Sequence, residues 1–259
     1  MKILAIGMNY AKHIAELHTK EEQNSLLNTE PVLFSKFDSS IIQPGKPFFV
    51  PDFADRFDYE TEIVVKIAHV GKDISERFAH RYYNELTVGI DFTARDLQSQ
   101  LRAQGHPWEC CKSFDGSAAL GKFITKDSLC CDVQDIHFPS TLNGQIGQSG
   151  HTADMIHTID HIIAYASKFF TLKTGDLIFT GTPDGIGPVH EGDKLEAYIG
   201  DTKLLDLRIK KPTRHIHRQS MRFDFSSDCP NSPSYLLLHS MFWTFQSPPH
   251  LNTSYPISL

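Results

Sequence analysis

Over roughly the first 210 residues, short runs of β-branched and aromatic residues alternate with polar segments punctuated by Gly and Pro. Runs such as Glu62 to Ile67 and Leu177 to Thr180 have the length and composition of strands. Helical period shows in two places. The run ILAIG, then Asn9 and YAKHIAEL, predicts a strand, an Asn9 cap and a helix over residues 10–17. In residues 152–170, TADMIHTIDHIIAYASKFF, the positions Met155, Ile159, Ile162, Ile163 and Ala166 recur at spacings of three and four, predicting one helix. A turn through Leu172, Gly175 and Asp176 then leads into the strand LIFT.

One strand-like run carries an unusual load of acid. In residues 57–65, FDYETEIVV, the carboxylates Asp58, Glu60 and Glu62 alternate with apolar positions, so a single strand would place all three on one face. Tyr59, Ile63, Val64 and Val65 read as buried, and unpaired ionised carboxylates are very costly in such surroundings. The run therefore calls for a nearby Arg or Lys or a divalent metal, unless the face is solvated, as one side of an antiparallel sheet often is.

After residue 210 the texture changes. Residues 211–259 contain no Gly, Ala, Val or Glu, and Ser, Pro and His recur without helical or strand period. This predicts an atypical, poorly ordered tail attached to a domain over residues 1–210, with the apolar patch LLLHSMFWTF as a docking element. The net charge of −6 gives no basic footprint for nucleic acid or an anionic membrane. No apolar run reaches membrane-spanning length, and the N-terminus lacks the pattern of a signal peptide. The five cysteines form no CxxC pair. Together these features favour a cytoplasmic protein with small-molecule or protein partners.

Four further stretches concentrate chemistry. His13 and Glu16 share a helical face, where a carboxylate can orient a ring that takes a proton from water; surface helices also carry such pairs by chance. Asp91 sits in the apolar run GIDF and needs a partner, while Arg95 beside Asp96 reads as a structural ion pair. Lys112 lies between cysteines and a Gly-rich loop, either as a buried fixed charge against an enolate or as a snorkelling surface residue. In residues 179–187, FTGTPDGIG, the glycines leave backbone N–H groups to meet an anion or simply to turn, and no Gly-Lys-Ser or Gly-Lys-Thr makes it a P-loop.

Taken in order, GMNYAKHIAE, EPVLFSKF, DYETE, GIDFTARDLQ, KSFDGSAALG, LNGQIGQSGHTADMI and LKTGDLIFTGTPDGIG resemble the fumarylacetoacetate hydrolase family over residues 1–210, in its short single-domain branch acting on acylpyruvates and oxaloacetate. The resemblance implies an α+β, β-rich fold, a mixed β-sandwich roll with a few helices, assembled as a homodimer. It implies Glu60, Glu62 and Asp91 as ligands of Mg²⁺ or Mn²⁺, with Asp58 behind them. It implies His13 and Glu16 as the water-activating dyad on a helix that closes over the site, with Lys112 beside the reacting oxygens. Arg95, Gln98 and Thr182 would hold the substrate, Thr182 through its carboxylate. Met8 and Phe37 depart from the family pattern and bear on substrate detail.

The expected substrate is a short 2-oxo acid whose enolate the metal stabilises. Acylpyruvate C–C hydrolysis stands first on this reading because the His–Glu pair is present, with oxaloacetate tautomerisation or decarboxylation as the alternative. A binding protein that keeps the scaffold without turnover is the alternative of another class; the altered tail speaks for it and the complete residue set against it.

Overall fold

The computed structural model describes residues 1–212 apart from residues 18, 21, 22, 24–26 and 28. The expectation for the tail after residue 210 therefore lies outside the described residues. Among those described, a seven-stranded sheet runs Val32–Lys36, Ile3–Gly7, Leu177–Phe179, Thr61–Ile67, Tyr83–Asp91 and Ala118–Leu120, with Ile124–Thr125 also paired to Tyr83–Asp91. Ile3–Gly7 and Leu177–Phe179 pair in parallel and the remaining neighbours are antiparallel, which makes the sheet mixed.

Both faces of this sheet are covered. Leu4, Ile6, Ile63, Val65, Val88 and Ile90 enter one apolar cluster, while the alternate residues Ile3, Ala5, Val64, Leu177 and Phe179 enter another. That explains why these strands read as continuous apolar runs: a sheet buried on two sides has no wet face to mark with polar residues. The second sheet runs Gln145–His151, His137–Leu142, Lys194–Ile199, Thr202–Lys210 and Phe48–Phe49. Its strand Thr202–Lys210 buries Leu205, Leu207 and Ile209 and exposes Asp206, Arg208 and Lys210, the alternation of a sheet with one solvated side. The architecture is the expected α+β, β-rich one. Among the described residues no helix is long and apolar enough to cross a membrane.

Two local expectations are corrected. The helix expected over residues 152–170 covers only Ile159–Phe169, because the Thr158 side chain accepts the His161 N–H at 3.1 Å and caps it there. Thr152–Asp154 is a 3-10 turn, and Met155 bridges to Tyr10 instead of joining the helical stripe. At the first helix, Ala11–Leu17, Asn9 is not the cap. Its side chain donates to the carbonyls of His157 and Thr180 and accepts from His157 N–H, tying the first strand's exit to two distant segments.

Candidate active site

The acidic run does not form one strand. Phe57–Tyr59 pairs within a small three-stranded sheet, Glu60 breaks the regular pattern, and Thr61–Ile67 belongs to the large sheet. Asp58 is thereby diverted from the other two, and its oxygens accept from Arg56 Nε at 2.8 Å and Arg95 Nε at 2.9 Å. Glu62 stands opposite Gly89, and the Asp91 N–H donates to the Glu60 carbonyl at 2.8 Å, so the antiparallel register carries Asp91 beside Glu60. Glu60, Glu62 and Asp91, all buried, present carboxylate oxygens within 4.8 Å of one another.

Buried cations surround two of these acids. Lys112, at the end of the short helix Glu109–Lys112, donates to Glu60 Oε2 at 2.6 Å, Asp91 Oδ2 at 3.0 Å and Thr93 Oγ1 at 2.6 Å. It is buried, which excludes the snorkelling alternative. Arg95 contacts Glu60 Oε1 through Nη2 and donates through Nη1 to Gln98 Oε1 at 2.6 Å. Arg95 does not pair with Asp96, which instead accepts the Asp55 and Leu97 backbone N–H groups. Lys36 was not singled out by the sequence. Its Nζ lies 2.6 Å from Asp91 Oδ1 with the side chain wholly buried, and it also meets Ser117 Oγ and the Lys112 carbonyl. Asp91 Oδ1 has no hydrogen bond of good angle, so this is an ion pair held by proximity.

Burial works to raise the Glu60 carboxyl, yet Lys112, Arg95 and His13 hold it well below the usual carboxylate range. Burial, reinforced by Asp91 and Glu60, pushes Glu62 well above it. Burial also pulls the Lys36 ammonium down despite Asp91, whereas Asp91 and Glu60 outweigh burial at Lys112 and raise it. Among the described residues Glu62 has no direct ion pair such as its two neighbours have; its Oε2 accepts the Gly181 N–H at 2.7 Å. Three hard oxygen donors, one without a direct ion pair, fit a divalent ion that favours oxygen.

The triad lines a cavity of about 320 Å³ together with the apolar residues Ile6, Leu17, Phe34 and Trp108. Met8 lines it with φ of 60°, a left-handed conformation uncommon outside glycine. His13 also lines it; its Nδ1 lies 3.2 Å from Glu16 Oε2, while Glu16 Oε1 accepts the Gly185 N–H at 2.8 Å. Burial would raise the Glu16 carboxyl, but hydrogen bonds from His13 and Gly185 hold it below its ordinary value. The N–H groups of Gly181 and Gly185 therefore meet anions that belong to the protein itself, the carboxylates of Glu62 and Glu16. Thr182, Arg95 and Gln98 all reach the cavity.

A mixed-sheet, β-rich fold thus carries, in one cavity, a buried acidic triad that could hold a metal ion and a His–Glu pair. The fumarylacetoacetate hydrolase C-terminal model matches residues 2–210, and the chain belongs to the fumarylacetoacetate hydrolase family. It is 39% identical over 194 residues to oxaloacetate tautomerase YcgM of Escherichia coli, spanning 75% of this chain and 86% of that protein. It is 34% identical to the human mitochondrial oxaloacetate tautomerase FAHD1, over 81% and 92% of the two chains. The fumarylpyruvate hydrolase of Pseudomonas aeruginosa, solved with Mn²⁺ and pyruvate, superposes with a TM-score of 0.74 at 29% identity, covering 82% of this chain and 90% of that one.

The buried charges make a testable demand on stability. Lys112→Met removes a cation shared by Glu60 and Asp91, and breaking such a buried pair costs about 3–5 kcal/mol. The metal-free protein is expected to melt roughly 10 °C lower, with Mn²⁺ restoring part of the loss because it replaces the missing positive charge. Differential scanning calorimetry with and without Mn²⁺ checks this, and an unchanged melting temperature would contradict the ion-pair geometry.

Proposed function

We propose that this protein binds a short 2-oxo acid at a divalent cation, Mg²⁺ or Mn²⁺, held by Glu60, Glu62 and Asp91, and interconverts the enol and keto forms of oxaloacetate. The carrying observation is the pairing, in one small cavity, of three clustered carboxylates with a buried histidine backed by a carboxylate. When bound, the cation supplies a positive centre that stabilises negative charge on the C2 oxygen of an enolate. With Nδ1–H donated to Glu16, His13 keeps Nε2 to take up or return a proton at C3. Lys112, held by Glu60, Asp91 and Thr93, adds a fixed positive charge that cannot swing away. The apolar walls lower the local polarity and so strengthen these interactions.

Hydrolysis of acylpyruvates is the second reading, and the His13–Glu16 pair is what favours it. His13 would deprotonate water, the oxygen would attack the C4 carbonyl, and the C3–C4 bond would break with its electron pair forming the pyruvate enolate. Oxaloacetate leads because YcgM at 39% and FAHD1 at 34% identity are oxaloacetate tautomerases, whereas the fumarylpyruvate hydrolase stands at 29%. The deciding experiment follows loss of enol-oxaloacetate absorbance and cleavage of acetylpyruvate and fumarylpyruvate, with Mn²⁺ and with EDTA. Metal-dependent hydrolysis without tautomerisation would reverse the order, and Mn²⁺ binding without either activity would leave a binding protein.

Arg102 bears on the substrate's far end. It lines the cavity from the helix Arg95–Ala103, on the face that carries Arg95 and Gln98. A dicarboxylic substrate places an anion where acetylpyruvate has a methyl group. Arg102→Gln is expected to raise KM for oxaloacetate about tenfold, the effect of losing one charge-assisted contact, with KM for acetylpyruvate nearly unchanged. Steady-state kinetics on the two substrates checks this, and equal changes would remove Arg102 from substrate selection.

A further inference from the structure

Gln148 lies in the strand Gln145–His151, is fully buried, and has no part in the chemistry above. Its Oε1 accepts the backbone N–H of Thr61 at 2.7 Å. Its Nε2 donates to Thr182 Oγ1 and to the Pro183 carbonyl, each at 2.8 Å. These partners dictate which way the amide faces, because an N–H requires an oxygen opposite it and a carbonyl requires a donor. The Thr182 hydroxyl, already accepting from Gln148, donates its own proton to the Thr61 carbonyl at 2.9 Å. Side chains therefore grip both backbone polar groups of Thr61, and its hydroxyl meets Ser140 Oγ at 2.9 Å.

Thr61 is the residue between Glu60 and Glu62, at the point where the regular strand breaks. Its N–H is satisfied by Gln148, a side chain 87 positions away. A backbone break beside two ligands is free to change their spacing unless something fixes it. We propose that Gln148 is a positioning residue: by clamping Thr61, directly and through Thr182, it sets the spacing of Glu60 and Glu62 and hence the affinity for a divalent cation. The same network commits the Thr182 hydroxyl proton to the Thr61 carbonyl, so that proton is not available to an anionic substrate. The inference rests on Glu60 and Glu62 being metal ligands.

The test uses the full chain and Mn²⁺ alone, read by electron paramagnetic resonance below the lowest melting temperature of the set. Gln148→Met keeps length and volume and loses all three hydrogen bonds; Mn²⁺ affinity is expected to fall about tenfold or more, as when an outer-shell partner is removed. Thr182→Val keeps shape and loses the grip on the Thr61 carbonyl, with an expected fall of about threefold or more. Ile163→Ala opens a cavity in the core of the helix Ile159–Phe169 and should lower the melting temperature while leaving Mn²⁺ affinity within about twofold. Wild-type affinity in either site variant overturns the inference, as does an equal loss in Ile163→Ala, and Thr182→Val decides alone where Gln148→Met does not fold. Absence of Mn²⁺ binding in the unmodified chain overturns the metal reading itself and the inference with it, whereas unchanged variants overturn the inference alone.

Discussion

Glu62→Gln is expected to yield a folded protein that has lost Mn²⁺ binding and turnover together. The amide keeps the shape of the side chain, and its oxygen still accepts the Gly181 N–H that Glu62 takes at 2.7 Å. What disappears is the charge, the property that a hard dication requires of its ligands. In the metal-free state burial, Asp91 and Glu60 oppose that charge more than Lys112 supports it, so removing it does not cost the fold stability. The melting temperature without metal should therefore equal or exceed that of the parent, while Mn²⁺ affinity drops on the order of 10²-fold or more. Titration calorimetry and thermal melts on the same preparation check both halves. A variant that binds Mn²⁺ like the parent would remove Glu62 from the ligand set, and one that fails to fold would show that its charge is structurally needed.

The second large effect belongs to His13. His13→Ala is expected to lower oxaloacetate tautomerisation and acylpyruvate hydrolysis by about 10²- to 10⁴-fold, the usual worth of a positioned proton carrier. Mn²⁺ affinity should stay near that of the parent, because His13 is not among the clustered ligands. Metal-promoted decarboxylation of oxaloacetate should fall much less, since it needs the enolate stabilised more than a proton moved. Glu16→Gln tests the partner: it can still accept from the His13 ring, but it loses the charge and sets an NH₂ group against the Gly185 N–H that now donates to Glu16. A loss smaller than that in His13→Ala is the expected order. Equal losses in all three reactions, accompanied by weaker Mn²⁺ binding, would mean that the helix Ala11–Leu17 organises the cavity as a whole and that His13 is not a dedicated proton carrier.

YcgM and FAHD1, at 39% and 34% identity, are oxaloacetate tautomerases, which is why tautomerisation is proposed ahead of the C–C hydrolysis that the His–Glu pair first suggested. Both reactions pass through the same enolate, so the acidic triad cannot separate them. On the proposed reading the distinction would lie in where His13 delivers its proton and in whether Arg102, which lines the cavity, favours a dicarboxylic substrate.

Local periodicity determined much of this protein in advance. The apolar runs at Thr61–Ile67 and Leu177–Phe179 and the stripe of Ile159, Ile162, Ile163 and Ala166 are visible because strand and helix periods are short-range properties of the chain. The spacing of Asp58, Glu60 and Glu62 marked an acidic load in need of a cation, a metal or water, while ordered motifs identified the family and, through it, Glu60 and Glu62 as partners in one site. Tertiary structure alone decided the rest. It broke the acidic run at Glu60, turned Asp58 toward Arg56 and Arg95, and separated Arg95 from its neighbour Asp96. It also brought in Lys36 and Gln148, whose partners Asp91 and Thr61 lie in other strands. Neither carries a local signal: a buried lysine and a buried glutamine have the same composition as surface ones. Only packing shows which polar groups have been withdrawn from water, and those are the groups that must find partners across the fold.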